Sequence, residues 1–584
     1  MQRGIKSLGV VAAALFLLAG SANALPPLMD RIPADAVLSI VVTNPTALEA
    51  SVKKAAASMG VPADEMNLEA IMQIFGIADS VKTDSAVGVV VKLPVTDADG
   101  NELPEELRNI AFLVPVKDFN AFAKALGGDG VAELQSITTG DGQLFAKNIG
   151  DGYAAVSKNK DFLTTFKGEK GQLAAHSARV SKGANSVADG SDVVILVNME
   201  TGREAIQDGL KRQRLEMKNN MAAMGGDPEA MAPLNAFIDS FVEQSRSLVF
   251  GLKLDDVGTS ADAVATFTDA TTFAKIASAS GKTSELMSRL PKADYVIAGA
   301  LDVSSEPLRA YLASLQPEGA GADPMQLAQS LKTMKGASFS IGFNPGGIMA
   351  GILTRTVSFV SSADPDGAIK NLQASFVKMT DAKLATAKYT PAKTEVNGVK
   401  VDDYEIRLNL KDGGPGTAQA MMFMFGPNGG PAGYIAKTEG GYLQTYSRSS
   451  ELMGQALSTK AGSSLSSDEQ VKSVSAKLPE GRVAELYIGP KAIMNSATPL
   501  LTMFAGASPD YTPSDTIPPI GLAIAPAGGG LRATIYVPHA TVRSISEYSK
   551  AVQSAMNPDA EPMGEPEPAE NAKPADKKPS KPKF

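Results

Sequence analysis

Four times in this chain a polar or charged residue leads into an alternating apolar run, at Asp35 to Thr43, Asp192 to Val197, Asp294 to Leu301 and Arg482 to Ile488. Repetition on this scale constrains a fold more than any single motif does, because every copy has to bury an equivalent face. The alternation predicts strands. Asn44 before Pro45, Ser304 or Ser305 before Pro307, and Gly489 before Pro490 each place a cap ahead of a proline whose fixed φ suits a first helical turn. The apolar spacing then turns helical. Leu48, Val52, Ala55 and Met59 share one face, as do Leu308, Tyr311, Leu312 and Leu315, and these faces should pack on a sheet.

The remainder of the unit repeats as well. A second helical run is expected after Ala63, after Asp227-Pro228 and after Asp323-Pro324, whereas the stretch from Pro509 to Pro519 is too rich in proline for one. Hairpins are expected at Val87 to Leu93 with Ile110 to Val116, Leu248 to Leu254 with Ala261 to Phe267, Phe339 to Phe343 with Met349 to Val357, and Leu522 to Ala525 with Leu531 to Val537. Their turns fall at Asp99-Gly100, Val257-Gly258, Gly346-Gly347 and Gly528 to Gly530. A closing helix follows, and Phe122-Ala123-Lys124 matches Phe273-Ala274-Lys275.

The expected fold class is therefore α+β, with four β-α-(α)-β-β-α units in two similar halves, 25–284 and 285–556, and mainly antiparallel sheets. Each half carries a β insert. Gly152-Tyr153 ahead of Ser157 matches Gly441-Tyr442 ahead of Ser447, and Asn397-Gly398 is a hairpin turn in the second insert.

The two ends of the chain differ from the repeats. Residues 1–24 read as a secretory signal peptide: Arg3 and Lys6 are followed by the apolar run Leu8 to Ala19 and the small-x-small site Ala22 to Ala24. Cleavage is expected after Ala24, giving a periplasmic or secreted protein without a transmembrane anchor. From 557 to 584, Pro, Glu, Lys and Ala dominate without periodicity, which predicts a disordered charged tail.

Composition excludes several function classes. The chain has no Cys, so its stability rests on core burial even in an oxidising compartment. A net charge of −8, with Lys and Arg spread along the chain, provides no basic stripe for nucleic acid. There is no Trp to serve as a sugar platform.

The lead-in Ile32-Pro33-Ala34-Asp35-Ala36, its echo Leu290-Pro291-Lys292-Ala293-Asp294 and the duplicated layout resemble a family of uncharacterised exported bacterial proteins. That resemblance implies the duplicated α/β arrangement and carries no activity with it.

Each chemical candidate has a plainer reading. Of the two histidines, His539 should cap the last helix and His176 should be exposed. Ser51 with Lys54, and Ser157 with Lys160, match S-x-x-K but lack the companion motifs of serine acyl enzymes. Gly281-Lys282-Thr283 ends like a phosphate loop, yet Ile276 stands where glycine belongs. Asp97, Asp99, Gly100 and Glu106 imitate part of a calcium loop, but Val95 replaces the leading acid, so a hairpin tip is expected. Met217, Met221 and Met224 could hold Cu(I) through thioethers, although their helical spacing suggests a buried face. Met421 to Phe425 reads as a buried strand or a soft pocket lining.

No residue is assigned a catalytic, cofactor-binding or metal-binding role, and no cofactor is expected. The leading expectation is a non-catalytic exported protein of the bacterial envelope with a binding or structural role, its partner an envelope protein or an apolar ligand. Alternatives are a carrier with a cleft between the halves lined by Met and aliphatic side chains, and a hydrolase using carboxylates or serine.

Overall fold

The computed structural model describes residues 25–62, 67–74, 76–97, 101–139, 142–223, 231–315, 332–342, 351–381, 385–408, 415–506 and 508–557. The signal segment, the Asp99-Gly100 and Gly346-Gly347 turns, Met224, the start of the run after Asp227-Pro228, the run after Asp323-Pro324 and all but the first residue of the tail lie outside them.

The described residues form a mixed α+β protein built on one sheet of 19 strands. The first nine are β1 (Leu38–Val42), β2 (Val87–Lys92), β3 (Asn109–Pro115), β4 (Leu134–Thr139), β5 (Gly142–Asn148), β6 (Tyr153–Ser157), β7 (Val193–Asn198), β8 (Ser245–Leu254) and β9 (Gly258–Phe267). The next five are β10 (Tyr295–Asp302), β11 (Met334–Gly342), β12 (Thr356–Ser362), β13 (Ala385–Val396) and β14 (Val399–Leu408). The last five are β15 (Ala432–Thr438), β16 (Gly441–Thr445), β17 (Ala484–Ile488), β18 (Ile520–Ala527) and β19 (Gly530–Pro538).

Pairing is antiparallel throughout and gives the order β4-β5-β6-β3-β2-β1-β7-β8-β9-β19-β18-β17-β10-β11-β12-β16-β15-β14-β13. The seam is the β9–β19 pair, which joins residues 258–267 to residues 530–538. Strand order runs outward from this seam in the same chain sequence on both sides, with β13 as an additional edge strand.

Central strands are apolar on both faces, but only one face is fully buried; the other is partly exposed. One face buries Val41, Val90, Val194, Val249 and Val264 against Leu28, Met29, Leu163, Ala184 and Val187. Further along, Ala298, Ala300 and Tyr487 pack with Leu286, Val471 and Val474. The helix Lys182–Asp189 reaches under the β18–β19 turn, where Lys182 N–H donates to Gly528 O at 3.2 Å.

On the other face, the helix Pro45–Met59 starts where the sequence places it, with Asn44 Oδ1 accepting Ala47 N–H at 2.9 Å. It packs on the last helix, His539–Met556, and so ties residues 45–59 to residues 539–556. Ser305 precedes its helix but makes no side-chain cap.

Two expectations fail. Met421 to Phe425 is the end of a helix, Pro415–Phe425, and not a strand, since unbranched Met is a good helix former. The second strand of the third hairpin begins at Thr356, seven positions later than the apolar letters from Met349 suggest, since Ile352 to Arg355 form turns. Among the described residues, no helix is long and apolar enough to cross a membrane.

Candidate apolar binding site

A cavity of about 430 Å³ lies over the seam, on the sheet face opposite the main core. Its floor is a row of directly paired residues: Phe250 opposite Ala263, Ala263 opposite Ala533, Ala533 opposite Ile524, Ile524 opposite Ala484, and Ala484 opposite Leu301. Three of these six are alanines. A small side chain at the centre of a strand leaves unfilled space above it, and here the vacancy sits between the larger Phe250, Ile524 and Leu301.

The walls come from helices. Phe237 and Phe241, one turn apart on the helix Ala232–Gln244, face Leu308, Tyr311, Leu312 and Leu315 from the helix Glu306–Ser314 and its C-cap. The apolar face read from the spacing of the latter four residues therefore lines a cavity. Phe273 holds the aromatic wall together, with ring centroids 5.2 Å from Phe267, 5.1 Å from Tyr311, 5.5 Å from Phe237 and 5.7 Å from Phe241.

Among the described residues, Tyr311 is the only lining residue with a polar side-chain atom. Its hydroxyl is buried and makes no hydrogen bond of good geometry. Burial raises its pKa, and the nearby Ser240 side chain opposes part of that rise. The described lining residues therefore supply neither a nucleophile nor an acid-base pair. What it can do is take hydrocarbon out of water, at about 0.8 kcal/mol per methylene.

The floor continues beyond the cavity. The same paired row runs through Ile195, Ile40 and Val89 to Phe112 on one side and reaches Ala337 on the other. With strands about 4.8 Å apart, these eleven residues span about 50 Å. Phe112 is 53% exposed, Ile524 43% and Leu301 40%. Single exposed apolar residues are ordinary, whereas extended apolar patches are the surfaces on which interactions tend to form.

The sequence candidates lie elsewhere. His176 is buried instead of exposed, because its short helix packs on the lead-in segment and Nε2 sits 2.8 Å from Ile32 O. His539 does not cap its helix. Its ring is buried between Ser58 and Thr259, with Nδ1 2.6 Å from Ser58 Oγ and Nε2 3.2 Å from Thr259 Oγ1.

Ser157 Oγ donates to Ile110 O at 2.6 Å, while Lys160 lies over the Phe145 ring at 5.9 Å. Ser51 and Lys54 share a helix, and the Lys54 amine is 3.9 Å from Asp256. Gly281, Lys282 and Thr283 N–H groups donate to Gly481 O, Asp302 Oδ2 and Arg482 O, so this loop is stitched to its own protein. Asp97 accepts the Asn101 N–H at 2.8 Å, and Glu106 sits in the turn Glu105–Leu107.

Met217 is 39% exposed and Met221 is partly buried, so neither is a core residue; Met224 lies outside the described residues. Among the described residues no methionine lines the cavity, in contrast to the cleft expected from the sequence; Phe, Leu and Ala are the commonest residues there. The letters at these positions read individually as strand or helix, and nothing local places β9 beside β19. Comparison with protein-family profiles, curated proteins and solved structures finds no match to this chain.

Proposed function

We propose that this chain is an exported, non-catalytic envelope protein that binds an apolar ligand in the seam cavity. The observation that carries the reading is a lining of eighteen described residues with one polar side chain among them, drawn from two stretches far apart in sequence, 237–315 and 483–533. At about 430 Å³ the cavity falls in the range of small-molecule sites. Export rests on residues 1–24.

The matched strand order supports an origin by duplication of the four-unit pattern. On that reading, the seam is where two equivalent sheet edges met, and the cavity arose at the meeting place.

The test is titration of the chain from Leu25 onward with a fluorescent polyene fatty acid, followed by displacement with a saturated fatty acid. Saturable binding of one equivalent is expected. Ala263→Phe with Ala533→Phe, which fills the floor, should weaken binding at least tenfold while the thermal transition is retained. Absence of saturable binding, or unchanged binding in the folded double variant, overturns the proposal.

A further inference from the structure

Away from the seam, three methionines converge on a second, smaller cavity of about 160 Å³. Met217 and Met221 are four residues apart on the helix Met199–Ala223, which puts both thioethers on one face. Met231 immediately precedes the helix Ala232–Gln244, which packs on the first helix. Arg214 fixes the pair by donating to both carboxylate oxygens of Asp239, at 2.9 and 2.8 Å.

These are not core methionines. Met29, Met287 and Met453 are at most 1% exposed and belong to the large buried clusters, whereas Met217 is 39% exposed and the other two are half-buried. Leu would fill a core position at least as well, and three flexible thioethers around one cavity call for a different account.

We propose that Met217, Met221 and Met231 form a binding site for one Cu(I) ion. Thioether sulfur is a soft donor that selects Cu(I) over hard cations. The chain has no Cys, and both histidines are buried away from this cavity, so methionine is its only available soft ligand there.

The remaining residues around the cavity agree with a monovalent soft ion. Among the described residues no carboxylate lines it, so the usual ligands of Ca²⁺ and Mg²⁺ are not among the groups placed there. The charge of Arg214 is offset by Asp239, and Lys218 is exposed, so its long stem can carry the ammonium into water. Binding requires no electron transfer, since the ion enters and leaves as Cu(I).

The experiment is anaerobic competition for Cu(I) between the full chain from Leu25 and a chromophoric Cu(I) chelator, with ascorbate present. Titration with Ag(I) serves as a redox-inert check. One equivalent bound is expected, falling at least tenfold in affinity in Met217→Leu/Met221→Leu/Met231→Leu. Leucine preserves volume and helix preference, so the thermal transition should not move. Failure to take Cu(I) from the chelator, or unchanged affinity in the folded triple variant, overturns the assignment. Fatty-acid binding at the seam is independent of either result.

Discussion

His539 Nδ1 lies 2.6 Å from Ser58 Oγ, across 481 positions of sequence. With Nε2 against Thr259 Oγ1 and Arg543 donating to Ser58 O, this contact fastens the first helix, the seam strand β9 and the last helix to one another. A polar group buried without its partner costs about 1–3 kcal/mol. Ser58→Ala and His539→Phe should each destabilise the fold by about that amount. The double variant should lose less than the sum of the two, measured by denaturant unfolding. Strict additivity would show that the pair is not coupled.

Gly183 is held close to the β18–β19 turn. A Cβ there would approach Ala527 O closer than real carbon contacts allow, and the neighbour is backbone that cannot swing away. Gly183→Ala should therefore destabilise by about 1–3 kcal/mol, although alanine is the better helix former. A stabilised variant in thermal melts would refute the close approach.

Phe273 touches four other rings in the cavity wall. Phe273→Ala should cost about 3–5 kcal/mol and enlarge the cavity. Phe273→Leu should cost markedly less. Equal losses in urea titrations would mean that aromatic packing is not what holds the wall.

Burial holds the His176 imidazole below its usual pKa, partly opposed by the Ile32 carbonyl that Nε2 meets. The unfolded chain titrates at about 6.5 and so binds more protons than the folded chain just below that pH. The contribution of His176 is full above about pH 6.5 and is lost as pH falls through the depressed folded value. His176→Gln should flatten that part of the stability-against-pH curve. A curve of unchanged shape would place the acid sensitivity elsewhere.

Asn44 caps the helix that meets His539–Met556. Asn44→Ala should cost about 1 kcal/mol, and Asn44→Asp should retain most of that stability. A loss of the same size in both would point to another role for Asn44.

The sequence by itself determined the local elements. Alternation at Leu38 to Val42, Val193 to Val197, Tyr295 to Leu301 and Ala484 to Ile488 is legible because side-chain direction in a strand depends on parity alone. The caps at Asn44 and Gly489 and the turn at Asn397-Gly398 are equally local, since φ and nearby donors decide them. Only the tertiary structure decided that β9 lies beside β19, that Ala263, Ala533 and Ala484 stand in one row, and that His539 reaches Ser58. Pairing between strands that far apart is set by how whole faces are buried, and no short-range pattern encodes it. The exposure of Met217 and the burial of His176 were misjudged for the same reason: what covers a side chain is supplied by distant chain.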